Sequence, residues 1–251
     1  MARLKTVFHV HTDHSDDSNN SAERLLDLAG QTGVGCIAVT DHDTITGARE
    51  MASKAGPDLR VIVGEEVSTP HGHLVGLFLR EPIERGLSVR QAAQAIKQQG
   101  GLVVVPHPFN QMFGCGLRGR INEILDLVDV VEVCNAQNLR SLPNHRAEAF
   151  ARQFGYPTIV GTDIHHGQTL DACYQWLEPF DGPASFVESL RRATFVKGRH
   201  PLGYFVHAAH VILRHKLHLP APAGFGRHCT QPRPKFQPVP AAVYSQRIHT
   251  D

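Results

Sequence analysis

Residues of metal-ligand type recur along the first two thirds of this chain at spacings that suit coordination. His9 and His11 flank a single residue in an apolar run, so on a strand both imidazoles project to the same side and can hold one ion. Asp16 follows in the next loop. Asp41, His42 and Asp43 close a second apolar run, Glu65 and Glu66 lie towards the end of a third, and His73 opens a fourth. His107 follows Val103 to Pro106, Glu132 sits within an apolar run over 128–134, and Asp163 and His165 follow another over 158–162. Mixed imidazole and carboxylate ligation suits zinc, manganese and iron(II), ions that activate water near neutral pH. Taken singly, a strand-end His or Asp is more often a cap or loop residue. A run of such coincidences at one strand end after another points to a single pocket.

The elements around these residues explain how they meet. Strands are expected over 6–11, 36–41, 61–68, 73–79, 102–106, 128–134 and 158–162. Helices are expected over 21–32, from about 46, and over 88–99, 121–127, 143–154 and 181–193. Ser21 and Ser88 suit N-caps, and Pro143 suits a first helical turn. The third and fourth strands pair as a hairpin through 69–72. Strands alternating with helices argue for a parallel sheet with right-handed crossovers, and about seven such units without a repeat argue for a barrel. In parallel barrels the C-terminal strand ends converge on one face, where active sites are built.

Composition narrows the class. The 251 residues suit one substantial domain with a tail, and no apolar run is long enough for a membrane span. Five scattered cysteines without a CxxC pair suit reduced thiols and a cytoplasmic location. Histidine is abundant, at 17. Charge is unevenly placed, with 15 Lys/Arg against 23 Asp/Glu over 1–190 and 10 against one over 191–251. After residue 197 the pattern changes. A segment over 207–217 suits an amphipathic helix, and from Pro220 the chain is Pro-rich and weakly patterned. His207, His210, His215 and His218 are spaced so that, on a helix, several would share a face. Lys216 and Arg214 beside them would repel a cation, so a basic amphipathic helix is the better reading of this stretch than a second metal site.

His9-Val10-His11-Thr12 with Ser15-Asp16, Thr40-Asp41-His42-Asp43, Gly64-Glu65-Glu66-Val67-Ser68, His73-Leu74-Val75-Gly76, His107-Pro108 and Gly161-Thr162-Asp163-Ile164-His165 resemble, in order, the successive motifs of the PHP (polymerase and histidinol phosphatase) superfamily. The resemblance covers about residues 5–195. It implies an α/β fold, a distorted (β/α)7 barrel over 1–197; the basic, Pro-rich C-terminal extension over 198–251 has no counterpart in the resemblance. It also implies two to three divalent metals (Mn, Zn or Fe). His9, His11, Glu66 and Asp163 would hold one ion. Glu66 would bridge to a second completed by His73 and His107, and Asp16, His42 and His165 would hold a third. Asp17 stands where the family usually has glycine, which leaves Asp16 and Asp17 as alternatives. Glu132 and Asn135 resemble the family's Glu-x-x-Asn and stand behind the ligands.

The expected activity is hydrolysis of phosphate esters by a metal-bridging hydroxide, with Asp163, His42 and His165 at the catalytic centre. Arg118, Arg120 and Arg140 lie in segments that open on the same face and are candidate phosphate clamps. The expected partner is a small phosphorylated substrate. Two alternatives stand beside it. One is a nuclease using the basic extension and aromatics such as Tyr204, Phe205, Phe225, Phe236 and Tyr244 to track a strand. The other is a non-catalytic metal-binding module.

Overall fold

The computed structural model describes residues 2–110, 116–117, 119–167 and 169–206. Arg118, the tail histidines His207, His210, His215 and His218, and Phe225, Phe236 and Tyr244 lie outside the described residues.

Along the chain run β1 (Leu4–Val10), α1 (Ala22–Thr32), β2 (Cys36–Val39), α2 (Thr46–Lys54), β3 (Arg60–Thr69), β4 (Gly72–Leu77), α3 (Val89–Gln98) and β5 (Leu102–Val105). Then come β6 (Val130–Asn135), α4 (Leu142–Phe154), β7 (Thr158–Ile164), β8 (Tyr174–Leu177), α5 (Pro183–Arg191) and β9 (Thr194–Val196). Where a helix was expected over 121–127, a 3-10 turn spans Arg120–Glu123. Its amides close back three residues, as in Ile124 to Ile121 and Leu127 to Ile124. So short a connection does not sustain an α-helix.

Strands β1 to β7 pair in sequence, and β1 also pairs with both β2 and β7, which closes a seven-stranded barrel. Six strands run parallel. The seventh, β4, is antiparallel to β3 and β5, as the expected hairpin through Thr69 and Gly72 requires. This reversal matters for function, because it puts the start of β4 beside the C-terminal ends of its neighbours. β8 and β9, for which no strand was expected, continue the sheet from the first residues of β1 (Leu4 with Leu177, Lys5 with Trp176).

Strand alternation sorts the core into layers. Phe8, Ala38, Ile62, Val75, Leu77, Val104, Val130 and Ile159 meet one another inside the barrel, and Phe180, Phe186 and Leu190 close that cluster. Phe186 stands edge-on to Phe8 at 5.8 Å and to Phe180 at 5.1 Å. On the outer face, Val103, Val105, Val131, Val133 and Val160 pack with Ala92, Ala93 and Ile96 of α3 and Ala147 and Ala151 of α4. Val7, Val10, Ile37 and Val39 pack with α1 and α2. Helix entry follows the capping expectations: Ser21 accepts from the Arg24 amide at 3.2 Å, and Ser88 and Gln91 form a reciprocal capping box.

Residues 198–206, placed in the extension by the sequence, fold back onto the barrel. The His200 amide donates to the Ala136 carbonyl at 3.3 Å, and Tyr204 is buried against the segment after β7.

Candidate metal centre

Two backbone irregularities turn the side chains of β1 and β6 into the site. In β1, Val7 faces outward and Phe8 inward, so plain alternation would send His9 outward. The register slips between Phe8 and Val10, and His9 adopts φ 61°. After this bulge His9 points inward, Val10 packs outside, and His11, just past the strand, turns inward again. The His-x-His spacing alone would not have oriented the pair; the bulge re-aims it. In β6, a second slip between Glu132 and Cys134 puts Val133 and Cys134 together on the outer side and returns Asn135 inward. His107 and Asp163 also lie at positive φ, 26° and 50°. Such backbone costs about 1–3 kcal/mol per residue and persists only where the surroundings enforce it.

Glu66 is the hub. Its Oε1 faces His73 Nδ1 at 2.8 Å and His107 Nε2 at 3.1 Å. Its Oε2 faces His9 Nε2 at 3.1 Å, His11 Nε2 at 3.4 Å and His42 Nδ1 at 3.4 Å. His42 stands level with Glu66 through a parallel bridge, and His73 comes from the reversed strand β4, diagonal to Glu66 across the hairpin. Asp163 Oδ1 lies 3.6 Å from His9 Nε2 and 3.5 Å from His11 Nε2 and His165 Nδ1. Asp17 Oδ2 lies 3.4 Å from His165 Nε2 and 3.6 Å from His42 Nε2.

A surrounding layer of partners fixes which imidazole nitrogen faces inward. His9 Nδ1–H donates to Glu132 at 3.0 Å. The second oxygen of Glu132 accepts from the His107 amide at 2.7 Å and Asn135 at 3.0 Å, and Asn135 also donates to Asp163 Oδ2 at 2.9 Å. His11 Nδ1–H donates to Ser15 Oγ at 3.1 Å, whose hydroxyl donates to Asp41 at 2.7 Å. Asp41 also accepts from the Thr12 amide and hydroxyl, both at 2.7 Å. With the Nδ1 protons of His9 and His11 so engaged, their Nε2 lone pairs point at the lone pairs of Glu66 and Asp163. Buried His11 Nε2 has no hydrogen-bond partner among the described residues. Lone pairs facing lone pairs in a buried site require a proton or a cation between them, so this donor set fits divalent metal. Four overlapping triads have ligand atoms within 4.8 Å of one another: His11/His42/His165, His9/His107/Asp163, His9/His11/Glu66 and His42/Glu66/His73.

Electrostatics agree with a site built for cations. Burial alone would raise the Glu66 and Asp163 carboxyls, but the imidazoles around them, led by His42 and His9 respectively, hold both well below the carboxylate range. Burial alone would depress His42, yet Glu66 and Asp17 push it up to about 10. His9 is likewise lifted, against its burial, by Asp163, Glu66 and Glu132. His11 is the exception. Burial and the neighbouring His165 lower it to about 3, which leaves it neutral and able to ligate.

The structure brings His9, His11, His42, Glu66, His73, His107, Asp163 and His165 into one cluster. The carboxylate that lies against His42 and His165 is Asp17, one of the two alternatives at this position. Glu65 points to the outer side of β3, where its carboxylate accepts from the Ile83 amide at 2.9 Å and burial pushes it up to about 8. Asp43 ties off the Ser68 amide at 2.7 Å and meets Arg85 at 3.3 Å. Arg120 is exposed and paired with Glu123, and Arg140 is exposed before α4. His14 pairs with Glu50 of α2 at 2.8 Å. Cys134 is buried 3.8 Å from Cys173 and packs in the outer core. Sequence reasoning assigned no role to Asp41, Gln137 or His200, and named Tyr204 only as an aromatic that could track a strand. Asp41 stood beside His42 in a motif, whereas nothing in the sequence placed Tyr204 at the metal centre.

A seven-stranded barrel with imidazoles and carboxylates gathered at one end defines a class of metal-binding α/β proteins. Comparison with known proteins makes the class specific: residues 8–103 match the PHP domain and residues 141–195 the PHP-associated region. Protein MJ1587 of Methanocaldococcus jannaschii is 34% identical over 158 residues, 57% of this chain and 89% of that protein. The chain belongs to the PHP family. Two shorter matches carry named activities. The 5'-3' exoribonuclease Rnm of Escherichia coli is 42% identical over 76 residues, 28% of this chain and 26% of that one. The phosphoribosyl 1,2-cyclic phosphate 1,2-diphosphodiesterase of Eggerthella lenta is 39% identical over 82 residues, 29% of this chain and 30% of that one. Among solved structures, PsfC from Pseudomonas syringae superposes with a TM-score of 0.61 at 17% identity, covering 86% of this chain and all 100% of that one. The lesion-specific endonuclease PfuEndoQ from Pyrococcus furiosus superposes with a TM-score of 0.56 at 14% identity, covering 76% of this chain and 55% of that one. Both share the fold. Among the described residues no helix is long and apolar enough to cross a membrane.

Proposed function

We propose that the chain is a metal-dependent phosphoesterase acting on a small phosphorylated substrate through two to three divalent ions of manganese, zinc or iron. The observation that carries the reading is Glu66, whose two oxygens each face a separate set of imidazole nitrogens, within 2.8–3.1 Å on one side and 3.1–3.4 Å on the other. One carboxylate among five imidazoles, two of which have their N–H groups committed elsewhere, is the arrangement of a bridging ligand. His9, His11, Glu66 and Asp163 would hold one ion, Glu66, His73 and His107 a second, and Asp17, His42 and His165 a third. Bound there, divalent ions supply Lewis acidity that activates water and neutralises charge on a phosphoryl group.

The chain's own residues prepare the site for this. Glu132 and Ser15 hold the His9 and His11 tautomers that present Nε2. Asn135 holds Asp163 so that Oδ1 faces the cluster. His42 and His165, committed to the cluster through both ring nitrogens, act by position and not as free proton carriers. A nuclease is the second reading, and the segment similar to the exoribonuclease favours it.

The decisive experiment counts metals in the purified protein and assays it with manganese on p-nitrophenyl phosphate and its bis-ester beside Asp163→Ala. Two to three ions per chain and turnover abolished by the substitution are expected. Full metal loading without turnover of either ester would sink the general phosphoesterase reading and favour a narrow substrate or a structural role.

A further inference from the structure

Beneath the ligand-bearing end of β7 lies a stack of three rings drawn from two distant parts of the chain. Tyr204 sits between His166 and His200, with centroid distances of 4.1 and 3.8 Å and interplanar angles of 11° in both contacts. Tyr204 is 7% exposed and His200 4%. Their polar atoms converge on the backbone around Asp163. The Tyr204 hydroxyl donates to the Asp163 carbonyl and accepts from the His165 amide, both at 3.1 Å. His200 Nε2–H donates to the Thr162 carbonyl at 2.6 Å, and His166 Nε2–H donates to the Tyr204 carbonyl at 3.1 Å. The Asp163 carbonyl is gripped from the other side by Gln137 and His165.

Asp163 needs this grip. It holds φ 50°, a conformation an aspartate adopts at a cost and one that persists only where the surroundings enforce it. His200 and Tyr204 lie beyond both stretches matched to the family, which end at residue 195.

We infer that Tyr204, supported by His200, is a positioning residue of the metal centre: its hydroxyl bridges the Asp163 carbonyl and the His165 amide and holds the strained backbone from which both ligands project. The inference rests on the metal-dependent reading of the site. It makes the first residues after the matched region part of the functional unit.

Tyr204→Phe in the full chain keeps the ring stack and deletes only the bridge. Stepwise titration with cobalt(II), followed by calorimetry and visible absorption, reads metal affinity without any turnover, and the metal-free melting temperature is measured on the same samples. The expected result is selective. Steps that use Asp163 and His165 weaken about 10- to 100-fold, while at least one step keeps its parental affinity, because Glu66, His73 and His107 lie outside the segment that Tyr204 holds. Parental affinity at every step overturns the inference, as does weakening of all steps together, which marks a role in general stability. An unsubstituted chain that binds no cobalt sinks the metal reading itself, and the inference with it. The two failures are told apart by which protein shows them.

Discussion

Adjacent residues of the same type take different roles here because backbone direction, more than chemistry, decides what a side chain meets. Asp17 faces His42 and His165, and Asp16 carries the same carboxylate one position away. Asp17→Asn is therefore expected to weaken metal binding at least tenfold more than Asp16→Asn does, in parallel cobalt titrations. A larger loss from Asp16→Asn would return the assignment to Asp16. Glu65 and Glu66 were separable in advance by the Gly-x-Glu-x-Ser pattern, and strand alternation is the physical reason. No such rule separates Asp16 from Asp17, which lie in a loop without a period. His200 carries a second prediction. Burial is the largest influence on it and lowers it to about 4, while its Nε2–H is committed to the Thr162 carbonyl. An unfolded chain takes up this proton near pH 6.5, whereas the folded chain refuses it until about pH 4. The folded state thus loses stability as pH falls through that window, by on the order of 3 kcal/mol when complete. His200→Gln should melt with a shallower pH dependence than the parent between pH 7 and 4. Parallel curves for the two proteins would show that this histidine is not responsible.

Strands and the loops that follow them deliver the candidate ligands, and where they do so by regular geometry the sequence could be read directly. The barrel strands, the hairpin through Thr69 and the caps Ser21 and Ser88 lie where residue patterning put them. The bulges at His9 and in β6 could not be read. A bulge leaves composition unchanged while inverting the side-chain face. β8 and β9 were missed because four- and three-residue strands at a sheet edge hold too few apolar residues to show a period. Close packing between elements is a further constraint. A Cβ on Gly161 of β7 would lie 1.7 Å from Glu132 Oε1 and 3.0 Å from His9 Cβ. Gly161→Ala must therefore push Glu132 off His9 Nδ1 and release the tautomer that presents His9 Nε2. We expect metal affinity to fall about 10- to 100-fold. Restoration by Gly161→Ala combined with Glu132→Ala, which removes the clash, is not expected, since His9 would remain unsupported. Parental affinity in the single variant would show that Glu132 can move without cost.

For the molecule as a whole, the acidic barrel and basic end make opposite demands on a substrate. With 23 carboxylates against 15 Lys/Arg over 1–190, the barrel does not attract a polyanion, whereas 191–251 carries 10 Lys/Arg against one Asp. Turnover of a small phosphate ester should change little between 50 and 200 mM salt. Cleavage of an oligonucleotide held along the basic stretch would fall steeply over that range. A steep loss on oligomers, with release of mononucleotides, would replace the small-substrate reading by the nuclease. The cluster itself also bears on global stability. Glu66 and Asp163 are held well below, and His9 and His42 well above, their ordinary values, so without a cation these groups rely on protons and on one another. Cations bind the assembled cluster and not the unfolded chain, in which these ligands are dispersed over 150 positions of sequence. Each ion present at about 100 times its dissociation constant then adds about 2.7 kcal/mol. A chain of this size gains about 2–4 °C of melting temperature per kcal/mol. Chelation should therefore lower the melting temperature by at least several degrees, and readdition of manganese or zinc should restore it. Asp163→Ala should blunt both changes by removing a ligand the cluster cannot replace. A chelated chain that melts with the parent would mean that the imidazoles and carboxylates hold together by proton-mediated pairing alone, and the case for resident metal would fall with that result.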